Sequence, residues 1–473
     1  MEDAAHGYYT GSTYTKAVQH GYDPRRLSAL GRSLGYDTAD PNQPFTFADF
    51  GCGYGLTILM LAKALPHGQF FGIDLIPEHT AASQRFAKMI GVTNVTYINA
   101  AFGDLTPGML PPLDFAMSHG VFSWIAPEVR QHLRKAVTRA LKPRGIFAAS
   151  YNLLPGWAEM LPLRALLKTA VDRGADDSAA VSLLHNMVVE RATQSGKAAP
   201  NLLRTFRPQD MPYVRHEFLN EHWVCFTHQD LAAEMAADGL RFAGPFHALP
   251  SDRAAGEGAL HIDDPVFWED FKAAATAATF RTSVFVSADA PAAGQAKPFA
   301  EGHATVAPSM NISPQSLLGK DLLGDKHPRG SVSLAAIGQK AADTGAMQEL
   351  SLLLNSETLV PLTAGFEPIG TLGRFVHSSD LTEQIAHRAQ IETRSTSLIL
   401  PWTGGLVRLP ARMWQILTHC AGKSVEDFVD IIEAVMPSDG SNVQPAEVAV
   451  RNWHVRWAPW LAGQGAIRPM DRH

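Results

Sequence analysis

Cysteine is scarce in this chain: Cys52, Cys225 and Cys420 are the only three among 473 residues. An odd number, so widely scattered, excludes a disulfide framework. There is no C-x-x-C pair, H-E-x-x-H motif or EF-hand loop, and His216 and His222 are wrongly spaced for zinc, so no metal is expected. Neither sign of charge predominates. With 40 Lys and Arg against 46 Asp and Glu, the net charge is −6, and without a basic stripe no nucleic-acid partner is expected. Long apolar runs are missing too: none reaches the length of a membrane span, and "MEDAAHGYYTGSTY" at the start is too polar for a signal peptide. A soluble, cytoplasmic protein without a membrane partner is the expectation. What the chain does have is a 46% hydrophobic content, enough for a substantial core, and a length that calls for two or three domains.

Between residues 24 and 151 strand-like and helix-like segments alternate. "FTFADF" (45–50), "GQFFGIDL" (68–75), "NVTYINAAF" (94–102), "LDFAMSHG" (113–120) and "GIFAASY" (145–151) read as strands. Helical runs separate them, among them 56–65, stopped by Pro66, and one that Pro127 opens. Unbroken apolar strands alternating with helices predict an α/β fold with a parallel sheet covered on both faces. Residues 158–222 carry helical patterns and no convincing strand. "THQDLAAEMAADGLRFAGPF" (227–246) and "FRTSVFVSA" (280–288) then predict a helix and two further strands that return to the first sheet. The expected organisation is one domain from 1–157 plus 223–288, a helical insertion at 158–222, an Ala/Pro/Gly/Ser-rich linker at 289–330, and a smaller α+β, winged-helix-like domain at 331–473. In the last of these, "STSLILPWTGGLVRLP" reads as a hairpin.

The chemistry starts at "FADFGCGYGLTIL" (47–59). Glycines between a strand and a helix let the backbone approach a ligand closely. A dinucleotide fold asks for G-x-G-x-x-G, and here the third position is Leu56. The glycines fall instead at 51, 53 and 55, behind Asp49. This D-x-G-x-G-x-G pattern resembles motif I of the class I S-adenosylmethionine-dependent methyltransferases, whose sheet is Rossmann-like. The resemblance implies S-adenosylmethionine as cofactor and S-adenosylhomocysteine as product. It also implies a cofactor site of Asp49, Gly51, Cys52, Gly53 and Gly55, with Asp49 near the ammonium group. Asp74, at the end of the second strand beside Leu75, would accept hydrogen bonds from the ribose hydroxyls. After the third strand such enzymes often carry an acid for the adenine amino group. Here Ala101 takes that place, leaving Asp104 as the substitute acid and the Phe102 backbone as a ring contact.

"SHGVFSWI" (118–125) and "SYNLLPGW" (150–157) narrow the resemblance. They are similar to segments of bacterial methyltransferases that carry a methyltransferase regulatory domain, a group that includes protein-lysine methyltransferases. "YVRHEFL" (213–219) and "FRTSVFV" (280–286) look like the same group, which covers about the first 290 residues. The resemblance implies a lysine-bearing protein as substrate, and a homodimer through the helical insertion. Because ligands lie beyond the carboxyl ends of the strands in an open α/β sheet, Tyr151 and Asn152 are expected to orient the acceptor nitrogen. Trp124 and Trp157 would wall its channel, and His119 would touch cofactor or relay a proton. Tyr14 matches an N-terminal tyrosine of the group and would close over the cofactor. Two alternatives remain open: a small-molecule N- or O-methyltransferase, and a cofactor-binding interaction protein whose catalysis has lapsed.

Overall fold

The computed structural model describes residues 18–195, 211–246 and 262–291 continuously, and elsewhere only short strand segments and single positions. Its centre is a seven-stranded sheet built from β1 (Phe45–Phe50), β2 (Gly68–Asp74), β3 (Val95–Asn99), β4 (Leu113–Ser118), β5 (Leu141–Asn152), β6 (Leu240–Pro245) and β7 (Phe280–Ser287). The strand order is β3-β2-β1-β4-β5-β7-β6. The first five strands run parallel, whereas β7 is antiparallel to both β5 and β6. The chain reverses from β3 to β4 across β1, which makes the carboxyl tips of β1 and β4 the place where a crevice opens.

Helices cover both faces. On one lie α1 (Pro24–Ser33), α2 (Leu56–Ala64) and α3 (Pro77–Met89). The other takes α4 (Pro127–Ala140), α8 (His228–Ala237) and α9 (Pro265–Thr276). The two-residue period of the strands assigns the side chains: Phe45 and Phe47 join the first core, Ala48 and Phe50 the second. In β5, Ile146 and Ala148 face the first core while Phe147, Ala149 and Tyr151 face the second. Helix starts follow local chemistry. The Asp23 carboxylate accepts the Arg25 N–H at 2.9 Å ahead of Pro24, and Asp264 accepts the Val266 N–H at 2.8 Å ahead of Pro265. Sequence reasoning did not anticipate α9, although its cap-and-proline start was there to read.

Between β5 and β6 come α5 (Leu161–Asp172), α6 (Asp177–Gln194) and α7 (Met211–Phe218). They close a third apolar cluster in which Trp124, Trp157 and Trp223 meet Met160, Val214 and Phe218. No helix among the described residues is long and apolar enough to cross a membrane. Of the segment after 291, the described parts are short antiparallel pairings, including Ser397–Ile399 with Leu406–Arg408 across the anticipated hairpin. The winged-helix-like arrangement expected at 331–473 lies outside the described residues.

Candidate active site

The carboxyl tips of β1 to β4 surround a cavity of about 560 Å³. The three motif glycines all have left-handed φ values, +85° at Gly51, +55° at Gly53 and +57° at Gly55, a region that L side chains enter at a cost. Their surroundings differ. A Cβ on Gly51 would stand 2.4 Å from Val121 Cγ2, and one on Gly55 would stand 2.2 Å from the Tyr97 ring. At Gly53 nothing lies within 4 Å of that position. Two glycines thus allow close packing, and the middle one leaves bare backbone at the cavity.

Asp74 braces this turn. Its Oδ2 accepts the Gly53 N–H at 2.8 Å, and its Oδ1 accepts the Ile76 N–H at 3.0 Å and lies 3.2 Å from His79 Nδ1. A carboxylate has about four acceptor positions, so Oδ2 retains capacity on its cavity side. Asp49 is buried beneath the turn, and its Oδ1 has no hydrogen-bond partner. Burial, reinforced by the nearby Asp74 charge, raises its pKa to about 8. An orphaned acid under a bare glycine backbone fits a ligand that brings its own ammonium group. Cys52 adds no reactivity, since burial and the same two carboxylates push its thiol well up.

Leu75, Ala101, Phe102 and Asp104 form the next part of the wall, the last two from a 3₁₀ turn, Phe102–Asp104. His119 and Trp124, beyond β4, form the far part. His119 Nδ1 lies 3.0 Å from the Tyr22 hydroxyl and 3.2 Å from Ser150 Oγ, and Ser150 Oγ accepts the Gly120 N–H at 2.8 Å. Desolvation lowers the His119 pKa to about 4, so the ring is neutral at pH 7.

Residues 48–147 match the family described as methyltransferase domain, and residues 210–287 match a predicted methyltransferase regulatory domain. Residues 48–147 carry a methyltransferase domain, on a sheet with the class I methyltransferase fold. Its fold is that of PKMT2 from Rickettsia typhi, solved in complex with AdoHcy, with a TM-score of 0.64 at 16% identity over 93% of this chain and 97% of that one. In sequence it is 27% identical over 294 residues to an uncharacterized Synechocystis protein, covering 59% of this chain and 58% of that protein. An uncharacterized Rickettsia prowazekii protein is 27% identical over 209 residues, 43% of this chain and 82% of that one. The chain thus spans little more than half of the Synechocystis relative's length.

At the glycine end of this methyltransferase domain the structure brings together Gly51, Gly53, Asp74, Leu75, Phe102 and Asp104. It separates several residues expected at the acceptor end. Tyr151 is a core residue rather than one that orients an acceptor. It is fully buried on the α8 face of β5, and its hydroxyl is engaged with His228 Nδ1 at 2.6 Å and Ser283 Oγ at 3.0 Å. Trp157 does not wall the cavity. Its indole N–H donates to the Thr279 carbonyl at 2.6 Å, and its ring packs edge-on against Trp223. Asn152 turns its amide away to Glu217 Oε1 at 3.1 Å. Tyr14 lies outside the described residues. Residues not anticipated on the wall include His79, Glu128, His132 and His222. Glu128 and His132 are one helical turn apart on α4, a spacing that puts them on one face.

Tyr151→Phe is therefore expected to cost about 1–2 kcal/mol of stability, since it strips two buried hydrogen bonds, while methyl transfer continues at the wild-type rate. Denaturant titration and initial rates check this; a large loss of turnover at unchanged stability would return Tyr151 to the site.

Proposed function

We propose that the protein transfers the methyl group of S-adenosylmethionine to the side-chain nitrogen of lysine in a protein substrate. The observation that carries this reading is the polarity of the cavity: an acid–glycine cradle at one end and a tryptophan-walled end, backed by a second aromatic cluster, at the other. When bound, S-adenosylmethionine supplies an electron-poor methyl group on a sulfonium.

The chain's own residues do the rest. Asp74 holds the glycine turn and offers an oxygen to ribose hydroxyls. Asp49 supplies an uncompensated carboxyl for an ammonium group. His119, kept neutral by burial, adds no positive charge to a site that must accept a sulfonium. Ser150 and Tyr22 hold its ring in place. Trp124 gives a flat apolar face along which a lysine side chain can lie, and an electron-rich ring attracts its cationic head. Methyl transfer needs alignment more than covalent help from the enzyme, with reacting atoms about 3–3.5 Å apart.

Supplying the protein with tritiated S-adenosylmethionine and a cell lysate, followed by gel separation and hydrolysis, is expected to place label on methylated lysine in protein bands. Label confined to low-mass material would turn the reading toward a metabolite acceptor, and no label above background would point to lapsed catalysis.

A further inference from the structure

S-adenosylmethionine contains an amino acid, with an ammonium and a carboxylate on the same carbon. In the reading above Asp49 receives the ammonium, and the carboxylate needs donors of its own. The cavity offers few. The glycine turn has already used four of its N–H groups: those of Gly51 and Cys52 donate to the Ile73 carbonyl at 2.8 and 3.0 Å, that of Gly53 to Asp74 Oδ2, and that of Gly55 to the Cys52 carbonyl at 2.8 Å. The Gly120 N–H is taken by Ser150 Oγ. No lysine or arginine among the described residues lines the cavity. A carboxylate there depends on side-chain donors without a full charge.

Four histidines line the cavity, and their surroundings sort them. His79 faces Asp74 through Nδ1. His132 packs on the 3₁₀ turn, where a Cβ on Gly103 would stand 2.9 Å from its Nδ1. His222 lies two residues before Val224, whose N–H donates to the Ser123 carbonyl at 2.8 Å, and so belongs with Trp124 at the far end. His119 is the one tied to the tip of β1. It follows Ser118, whose hydroxyl donates to the Phe50 carbonyl at 2.9 Å, directly before Gly51. Tyr22, which holds the His119 ring, also stands near Asp49: burial chiefly raises the Tyr22 pKa, and the Asp49 charge adds to it.

The hydrogen-bond network fixes which nitrogen of His119 carries the hydrogen. The Ser150 oxygen takes the Gly120 N–H, so its own hydrogen is free to point at Nδ1, 3.2 Å away. The Tyr22 hydroxyl lies 3.0 Å from Nδ1 and farther, 3.4 Å, from Thr282 Oγ1. With two hydroxyls converging on it, Nδ1 is the acceptor, and a neutral ring then keeps its hydrogen on Nε2. Nε2 has no partner among the described residues. It is the ring nitrogen left for the cavity that His119 lines.

We infer that His119 donates its Nε2–H to the carboxylate of the cofactor's amino acid, across from Asp49 at the ammonium. This rests on the cofactor reading of the cradle and not on the nature of the methyl acceptor. A neutral donor suits the place, because it holds an anion without setting a second positive charge beside the sulfonium, as an arginine would. Ser150 and Tyr22 act as positioning residues that fix the tautomer.

Calorimetry with S-adenosylhomocysteine and with its decarboxylated counterpart, in which hydrogen replaces the α-carboxylate, tests this. In His119→Asn the amide nitrogen falls near the place of Nδ1 and no donor reaches the place of Nε2. This variant is expected to bind S-adenosylhomocysteine about 10- to 100-fold more weakly than wild type, with unchanged affinity for the decarboxylated compound. His119→Phe, which keeps a ring to pack edge-on against Phe280, should show the same selective loss and serves if the asparagine variant does not fold. His119→Gln, whose amide nitrogen reaches near the place of Nε2, should recover most of the affinity. Equal losses for the two ligands would overturn the inference, as would full S-adenosylhomocysteine affinity in His119→Phe. Failure of the wild-type protein to bind S-adenosylhomocysteine would instead overturn the cofactor reading of the cradle.

Discussion

Asp74→Ala is expected to weaken S-adenosylhomocysteine binding by about 2–4 kcal/mol, roughly 30- to 1000-fold. The loss has two parts that the experiment can separate. The carboxylate accepts the Gly53 and Ile76 N–H groups and faces His79, so its removal leaves two backbone donors unpaired and loosens the bare turn that lies against the ligand. That part also appears in the empty protein as a lowered melting temperature, each lost kcal/mol being worth a few degrees. The second part is the direct bond from Asp74 to the ribose hydroxyls, and it appears only when ligand is bound. Calorimetry with S-adenosylhomocysteine and with its 2′,3′-dideoxy analogue isolates it in the manner of a double-mutant cycle. The substitution should cost much less affinity for the dideoxy compound than for the parent. Equal losses for both would show that Asp74 braces the turn without touching the sugar.

The glycine turn was legible in the sequence because its demands are backbone demands. At Gly51 and Gly55 a left-handed φ coincides with neighbours under 2.5 Å from any Cβ, which leaves glycine as the residue that fits. Buried parallel strands such as "FTFADF" were legible for a similar reason: apolar residues on both faces have few other places to go. The acceptor end was not legible, because there the outcome depends on partners far away in sequence. Tyr151 sits at the tip of β5, where a substrate residue belongs, yet a two-residue period points it into the α8 face. It is kept there by His228 and Ser283, whose positions no local pattern reveals. Strand β3 illustrates the same limit on a smaller scale. Its apolar text continues to Phe102, but the strand stops at Asn99, where the Ala100 N–H turns to the Asp74 carbonyl at 3.1 Å and a 3₁₀ turn begins.

Asp49→Asn should move stability and binding in opposite directions. In the empty protein the Asp49 carboxyl is buried with an unpartnered oxygen and has its pKa raised to about 8, first by desolvation and then by Asp74. The unfolded chain ionises this group near its ordinary value of about 3.9. The folded state therefore holds its proton more tightly, and wild-type stability falls as pH rises from about 4, levelling off once pH passes about 8. Asparagine cannot ionise, so the variant loses that slope. Its advantage over wild type is absent near pH 4, grows to the order of 2–4 kcal/mol by pH 7, and is flat above about 8. Binding carries the opposite sign, because an ammonium brought beside Asp49 favours the charged carboxylate. Wild-type Asp49 then gives up a proton on binding at pH 7, where an α-amino group is still charged. Calorimetry in two buffers of different ionisation enthalpy should detect this proton release in wild type and not in the variant, together with a binding loss of about 1–3 kcal/mol, the usual scale for a hydrogen bond to a charged group. Equal proton release by the two proteins would remove Asp49 from the ammonium's reach, and a variant less stable than wild type at pH 7 would show that the buried carboxyl does not destabilise the empty protein.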